Sequence, residues 1–303
     1  MSQPELFDRP LLAERRRQAL TRAVAGADFL LEAASADLAE RLQTVNKSFA
    51  VGVDLGGHTG RMTALMRASG KVERVIRADL FLADPAVPGC DLVIDDALPP
   101  FADASVDLIV SPLALHFVND LPGTLIQIRR ALRPDGLFLG ALLGGDTLRE
   151  LGDVLMRAEL EVKGGAAPRV APFADTRSLG ALLQRAGFAL PVADFDRVTV
   201  RYDTLFDLMR DLKAMGATSV LRDRSRTPLP RRVFLRAAEL YQEHHADPDG
   251  RLRATFDIVS LSGWAPHESQ QKPLKPGSAR QRLADALGTT ELPAHDPARP
   301  GQK

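Results

Sequence analysis

Apolar residues early in the chain recur at three- and four-residue spacing: Leu20, Val24, Ala27, Leu31, Ala34, Leu38 and Leu42 fall on one stripe. The spacing predicts one or two amphipathic helices between Pro10 and about Thr44, with Asp8 as the entry cap and Gly26 a weak point within. Arg15, Arg16, Arg17 and Arg22, with Glu32, Asp37 and Glu40, take the complementary polar positions and are assigned to the outer face. From residue 49 the period changes. Short runs rich in β-branched residues, Phe49–Asp54, Val72–Asp79, Asp91–Asp95, Val106–Leu113 and Leu137–Leu143, alternate with helix-length connections. Strands joined in this way form βαβ units and a parallel sheet, so the fold class is α/β. The helix from about Asp120 to Leu132 stops at the breaker cluster Arg133-Pro134-Asp135-Gly136.

Past Gly144 the pattern predicts helices at about 146–162 and 176–186, then a strand over Val192–Tyr202. Helices at about 204–215 and 230–245 and a last strand over Ala254–Leu261 follow. The helical pair between the two late strands reads as an insertion at about 204–246 lying over one end of the sheet. The organisation expected is an N-terminal helical segment (1–48), a nucleoside-binding core (49–145), the rest of the fold with its insertion (146–271) and a largely disordered tail (272–303) with a short helix near Ala279–Leu287.

The chemistry concentrates in Val51-Gly52-Val53-Asp54-Leu55-Gly56-Gly57-His58-Thr59-Gly60, a strand that ends in an acid and opens through glycines into a helix. This is the first βα turn of a doubly wound sheet, at the carboxyl edge where ligands bind. Asp79 ends the second strand, where a carboxylate accepts from ribose hydroxyls, and Asp95 and Asp96 end the third, within reach of a base. The dinucleotide pattern G-x-G-x-x-G fails, because Arg61 stands at its third glycine, and no phosphate loop ending in Gly-Lys-Ser/Thr is present. An acid ahead of a D-x-G-x-G-x-G turn, with acids ending the next two strands, suits S-adenosylmethionine, which has no pyrophosphate but has an amino-acid end. His58 stands at the middle glycine.

Charge and composition narrow the classes. Lys+Arg and Asp+Glu number 39 each, so no strongly basic field draws nucleic acid or an anionic membrane, and no apolar run approaches a membrane span. With 45% apolar and 26% charged residues a sizeable core is expected. The single cysteine, Cys90, excludes an internal disulfide and reads as core filler. The N-terminus shows neither a secretory signal nor a typical transit peptide, which favours a bacterial cytoplasm, with a processed matrix protein as the alternative.

The segment Val106-Asp107-Leu108-Ile109-Val110-Ser111-Pro112-Leu113-Ala114-Leu115-His116-Phe117-Val118-Asn119-Asp120-Leu121-Pro122 resembles the mitochondrial complex I assembly factor 5 family and its bacterial relatives. Leu6-Phe7-Asp8-Arg9, Gly144-Gly145-Asp146-Thr147-Leu148, Arg185-Ala186-Gly187-Phe188, and Gly263-Trp264 with His267-Glu268-Ser269-Gln270 carry the same resemblance from about residue 6 to 280. It implies a Rossmann-like class I methyltransferase sheet, mostly parallel and of about seven strands, with N-terminal helices and a helical insertion between the last two strands. It also implies S-adenosylmethionine as cofactor and, as partner, the iron–sulfur subunit of NADH:quinone oxidoreductase, on which the family is linked to arginine hydroxylation. Bacterial relatives also resemble the malonyl-carrier-protein O-methyltransferase. By position, Asp54, Gly56 and Gly60 fall to the methionine end, Asp79 to the ribose and Asp95 to the adenine. Either Gly57 supplies the backbone freedom that His58 lacks, or cofactor affinity is reduced.

Methyl transfer from a sulfonium needs chiefly proximity and alignment, and a base only for a poor nucleophile. His116, just past the fourth strand, is the candidate base, with Asn119 and Asp120 beside it; the competing reading is a histidine capping the next helix. Asp146 reads as the cap of a helix beginning at Thr147, and the stretch Arg222, Arg224, Arg226, Arg231 and Arg232 as a solvated loop or a dock for an acidic partner. None of the six histidines sits in an H-x-[DE] arrangement, and no metal is expected. Three functions remain: a complex I assembly enzyme, an O-methyltransferase acting on a small-molecule or carrier-linked carboxylate in a pocket closed by the insertion, and a non-catalytic assembly chaperone that binds cofactor weakly because of His58.

Overall fold

The computed structural model describes residues 5–80, 90–271, 285, 288 and 289. Residues 1–267 form one compact unit and 268–303 a second; the architecture below is that of the first. Two helices precede the sheet, α1 (Arg9–Arg22) and α2 (Phe29–Thr44). Asp8 caps α1 as expected, accepting from the Leu11 N–H at 3.1 Å. There follow β1 (Phe49–Leu55), α3 (Arg61–Ala68), β2 (Val72–Asp79), β3 (Leu92–Val93), β4 (Val106–Pro112), a 3₁₀ turn (Leu115–Phe117), α4 (Leu121–Ala131) and β5 (Leu132–Leu143). Then come α5 (Arg149–Lys163), α6 (Thr176–Arg185), β6 (Ala189–Tyr202), α7 (Leu205–Ala214), α8 (Arg231–His245) and β7 (Leu252–Trp264).

The seven strands lie in the order β3-β2-β1-β4-β5-β7-β6. β1 to β5 pair in parallel, and β7 runs antiparallel between β5 and β6. Strand order reverses between β1 and β4, and that switch point opens a crevice at their carboxyl ends. Alternate residues of one strand serve opposite layers. Leu108 and Val110 of β4 join a core with Leu38 and Leu42 of α2, Met62 and Met66 of α3, Val154 of α5 and Tyr241 of α8. Ile109 between them joins the other core, with Leu125 and Ile128 of α4 and Leu179 and Leu183 of α6. Each such buried aliphatic side chain contributes roughly 1.5–3 kcal/mol.

Several expectations are corrected by packing. The third strand keeps only two residues, at the sheet edge and paired among the described residues with β2 alone. The Arg133-Pro134-Asp135-Gly136 cluster ends the helix, yet it lies inside β5. Asp135 takes a left-handed φ of 62° there, its N–H donates to the Ala265 carbonyl at 3.1 Å, and Gly136 accepts from the Ala265 N–H at 2.8 Å. The Asp146 side chain is not the cap of α5, which begins three residues later after Leu148 in the left-handed region; its carboxylate accepts instead from Arg197 at 2.6 Å. The insertion covers a face as much as an end, because α8 packs on α5 and β7 while α7 packs on α1. Cys90 is half-buried rather than core filler. The expected tail and most of its short helix lie outside the described residues.

Candidate cofactor and acceptor site

The glycine turn is shaped by the protein's own acids. Asp54, at the carboxyl end of β1, is fully buried, and its Oδ2 accepts from the Thr63 N–H at 2.9 Å and the Thr63 hydroxyl at 2.6 Å, tying the strand to the first turn of α3. Its Oδ1 is shielded and has no hydrogen-bond partner among the described residues. Burial pushes the Asp54 carboxyl up to about 6, against the lowering effect of Thr63. A Cβ on Gly57 would overlap that carboxylate, and one on Gly56, whose φ is 73°, would lie 2.6 Å from the Ala114 Cβ. Gly60 is required for a different reason: a Cβ there would stand 2.8 Å from the buried Arg77 guanidinium.

His58 takes the conformation a glycine would. Its φ is 51°, its N–H donates to Asp79 Oδ2 at 2.8 Å, and its carbonyl accepts from Arg77 Nη2. The other Asp79 oxygen accepts from the Leu80 N–H at 2.8 Å. A non-glycine residue in the left-handed region costs about 1–2 kcal/mol. Leu113, past β4, is also left-handed, at 49°. Both line one cavity, where strain of this kind tends to gather.

After β3, Asp95 lies at the surface and Asp96 is fully buried; Arg9 of α1 bridges them, pairing with Asp95 at 2.8 Å and with Asp96. Asp96 Oδ2 stays without a hydrogen-bond partner among the described residues, 3.2 Å from where a Cβ on Gly56 would sit. The N-terminal segment thus lies against the predicted base subsite. Phe7 bridges Leu221, Asp8 donates its N–H to the Val220 carbonyl at 2.8 Å, and Arg9 donates to the Phe117 carbonyl at 3.2 Å. Arg222 and Arg224 pair with Glu5 and Asp8 of this segment, so that part of the arginine-rich stretch is a clamp and not a solvated loop.

Of the three candidate catalytic residues, the structure brings only His116 to the cavity. Its Nδ1 accepts a long hydrogen bond from the Leu143 N–H at 3.4 Å, and burial, with Arg16 nearby, holds its pKa well below the usual histidine range. Asn119 and Asp120 do not line the cavity and are engaged elsewhere. Asp120 caps α4, accepting from the Gly123 N–H at 2.9 Å, and the Asn119 amide binds the Phe7 backbone.

The cavity measures about 370 Å³ and is walled by α1, the turn after it, the start of α2, His58 and Thr59, Leu113, His116 and Phe117, Leu143 and residues 214–217. Its walls are largely apolar, and Arg16 is the one arginine lining it among the described residues. That residue is 6% exposed, which overturns its outer-face assignment. Leu12, Arg16 and Ala19 form the buried stripe of α1, a phase that the apolar series from Leu20 onward does not show. His58 Nδ1 is likewise shielded from solvent, and burial with Arg16 and Arg77 nearby pushes the ring down to about 3. Among the described residues no three His, Cys, Asp or Glu side chains gather as a metal site. Acids at three strand ends, two of them with a buried oxygen unpartnered among the described residues, suit a ligand bringing hydroxyls, N–H donors and positive charge.

Residues 25–191 match the profile of a methyltransferase domain. The chain is 38% identical to the zebrafish (Danio rerio) arginine-hydroxylase NDUFAF5, mitochondrial, over 85% of this chain and 82% of that one. It is 36% identical to the malonyl-[acyl-carrier protein] O-methyltransferase of Xylella fastidiosa, over 71% and 73%. Among solved structures, YcgJ of Bacillus subtilis superposes with a TM-score of 0.51 at 14% identity, over 76% of this chain and 98% of that one, a likeness of fold.

Proposed function

We propose, since this chain belongs to the NDUFAF5 family of methyltransferase-fold enzymes, that it binds S-adenosylmethionine in the crevice between β1 and β4 and modifies an arginine of the iron–sulfur subunit during assembly of NADH:quinone oxidoreductase. The observation carrying the cofactor reading is the pair of buried carboxylate oxygens, Asp54 Oδ1 and Asp96 Oδ2, that flank the glycine turn without a hydrogen-bond partner among the described residues. An unpaired buried acceptor is costly, and a ligand with an ammonium at one end and an amino group on its base supplies a donor to each. Asp54, Gly56, Gly57, His58 and Gly60 would hold the amino-acid end, Asp79 the ribose, and Asp95 with Asp96 the base.

When bound, the cofactor supplies a sulfonium and its electrophilic methyl group. This chain's part is to orient and to exclude water: the N-terminal segment closes over Asp95 and Asp96, and α1 with residues 214–217 walls the cavity. His116, neutral at physiological pH and with Nδ1 accepting from the Leu143 N–H, keeps its proton on Nε2 and would stand in that wall as a hydrogen-bond donor to substrate. The partner and the reaction rest on the family. The same reading puts the protein where complex I is assembled, a bacterial cytoplasm or a mitochondrial matrix.

The experiment compares the iron–sulfur subunit from cells with and without this gene by peptide mass spectrometry. An added oxygen on one arginine that is lost in the deletion supports hydroxylation, and a lost methyl group makes the enzyme a protein methyltransferase. An identical subunit in both strains overturns the reading. One observation favours a second function, O-methylation of a carrier-linked carboxylate: residues 214–217, at the end of α7 in the insertion, close the cavity as that function requires. Turnover on a malonyl-carrier conjugate, with an unmodified iron–sulfur subunit, is its signature.

A further inference from the structure

Arg16 is a buried cation without a counter-ion in hydrogen-bond contact among the described residues. Its Nη2 donates to the Leu113 carbonyl at 2.9 Å, its guanidinium stands 5.9 Å from the centre of the Phe117 ring, and Nη1 is shielded with no hydrogen-bond partner among the described residues. Asp79 is near enough to act on it through space, but both Asp79 oxygens are engaged by the N–H groups of His58 and Leu80. The two histidines in the same wall are neutral at physiological pH. Leaving a guanidinium buried and half-satisfied is strongly unfavourable, and such a group persists where a ligand completes it.

We infer that Arg16 is the carboxylate receptor of this cavity, taking one carboxylate presented either by the amino-acid end of the bound cofactor or by the acceptor. This rests on the S-adenosylmethionine reading above for the first source only. The charge is matched one for one by a carboxylate, whereas a doubly charged phosphate would leave an excess anion among apolar walls. A planar guanidinium with one edge already used presents its remaining N–H groups in the geometry a carboxylate accepts, which a lysine ammonium does not reproduce.

The test uses the full chain and three probes: S-adenosylhomocysteine, methylthioadenosine, which lacks the amino-acid end, and hexanoate in the presence of S-adenosylhomocysteine. Equilibrium binding is compared for wild type, Arg16→Met and Arg16→Lys. If the cofactor supplies the carboxylate, wild type prefers S-adenosylhomocysteine to methylthioadenosine, and Arg16→Met shrinks that margin by about ten- to a hundredfold. If the acceptor supplies it, the margin survives in Arg16→Met and hexanoate binding falls by about the same factor. Arg16→Lys restores part of either loss. An Arg16→Met variant that matches wild type with all three probes overturns the inference. A wild type that binds neither nucleoside sinks the cofactor reading alone and leaves Arg16 to be judged by hexanoate. Arg16→Met removes a buried charge, so its thermal unfolding without ligand comes no earlier than that of wild type, which separates lost binding from lost folding.

Discussion

The side-chain amide of Asn119 holds the backbone of Phe7 from both sides, accepting from its N–H at 2.8 Å and donating to its carbonyl at 3.1 Å. Between them these bonds satisfy the N–H and the carbonyl of a residue 112 positions away in sequence and fix the N-terminal segment beside the acids after β3. The ring of Phe7 meets Phe117 edge-on at 5.6 Å, adding an apolar anchor to the polar one.

Removing that clamp should loosen the segment before it loosens the fold. Asn119→Ala leaves two backbone groups unpaired, a cost of about 1–3 kcal/mol. Limited proteolysis should then cut ahead of α1 while the Tm of the remainder shifts only modestly. Unchanged resistance to protease would show that the Phe7–Leu221 bridge and the Arg9 pairs suffice alone.

The turn at residues 56–60 predicts opposite outcomes for two neighbours. His58→Gly relieves a left-handed φ and keeps the N–H that donates to Asp79, so stability should rise by about 1 kcal/mol and S-adenosylhomocysteine affinity should move less than about tenfold. A much larger gain in affinity would reveal a cofactor site blocked by the imidazole, as a non-catalytic chaperone requires. Gly57→Ala drives a methyl into the Asp54 carboxylate and should cost about 1–3 kcal/mol together with most of the cofactor affinity.

Asp54 ties cofactor affinity to pH. Its carboxyl is held up at about 6, and a cationic ligand end is attracted only to the ionised form. S-adenosylhomocysteine affinity should therefore rise as pH increases through about 6 and then level off, while Asp54→Asn binds weakly with no such rise. Calorimetric titrations on either side of that pH decide it; a flat wild-type profile would remove Asp54 from contact with the ligand's charge.

Acid stability follows from the two enclosed histidines. A histidine whose folded pKa is depressed contributes stability that is fully present above its unfolded value, 6.5, and is lost as pH falls below it, for His58 down toward 3. His116 acts in the same direction. Asp54 has the opposite sign between 3.8 and about 6, since its raised pKa makes the folded state bind a proton sooner. Two groups outweigh one, so stability should decline below about pH 6.5. His116→Gln should remove up to about 1.4 kcal/mol per pH unit from that slope. Urea unfolding at a series of pH values measures it, and an unaltered slope would mean that His116 is not held neutral in the fold.

Local pattern was enough for much of this molecule. Period-two apolar runs place Leu108, Ile109 and Val110 on alternate faces of one strand. Strand-ending acids Asp54 and Asp79 stand beside the glycine turn, because the chain between them is a single short βα unit with few ways to fold. The fold class and the resemblance to the family follow from such short-range signals. What short-range signals do not carry is which polar residues are enclosed by segments far away in the chain. Arg16 looks like the solvent face of an isolated helix, and it is buried only because Leu113, Phe117 and residues 214–217 close over α1. Asn119 and Asp120 look like free groups past a strand, and packing commits one to Phe7 and the other to a helix cap. Asp146, a cap by its local context, pairs instead with Arg197 from β6. In each case the free energy of a charged or amide group is set by the partner that long-range packing delivers, and periodicity carries no information about that partner.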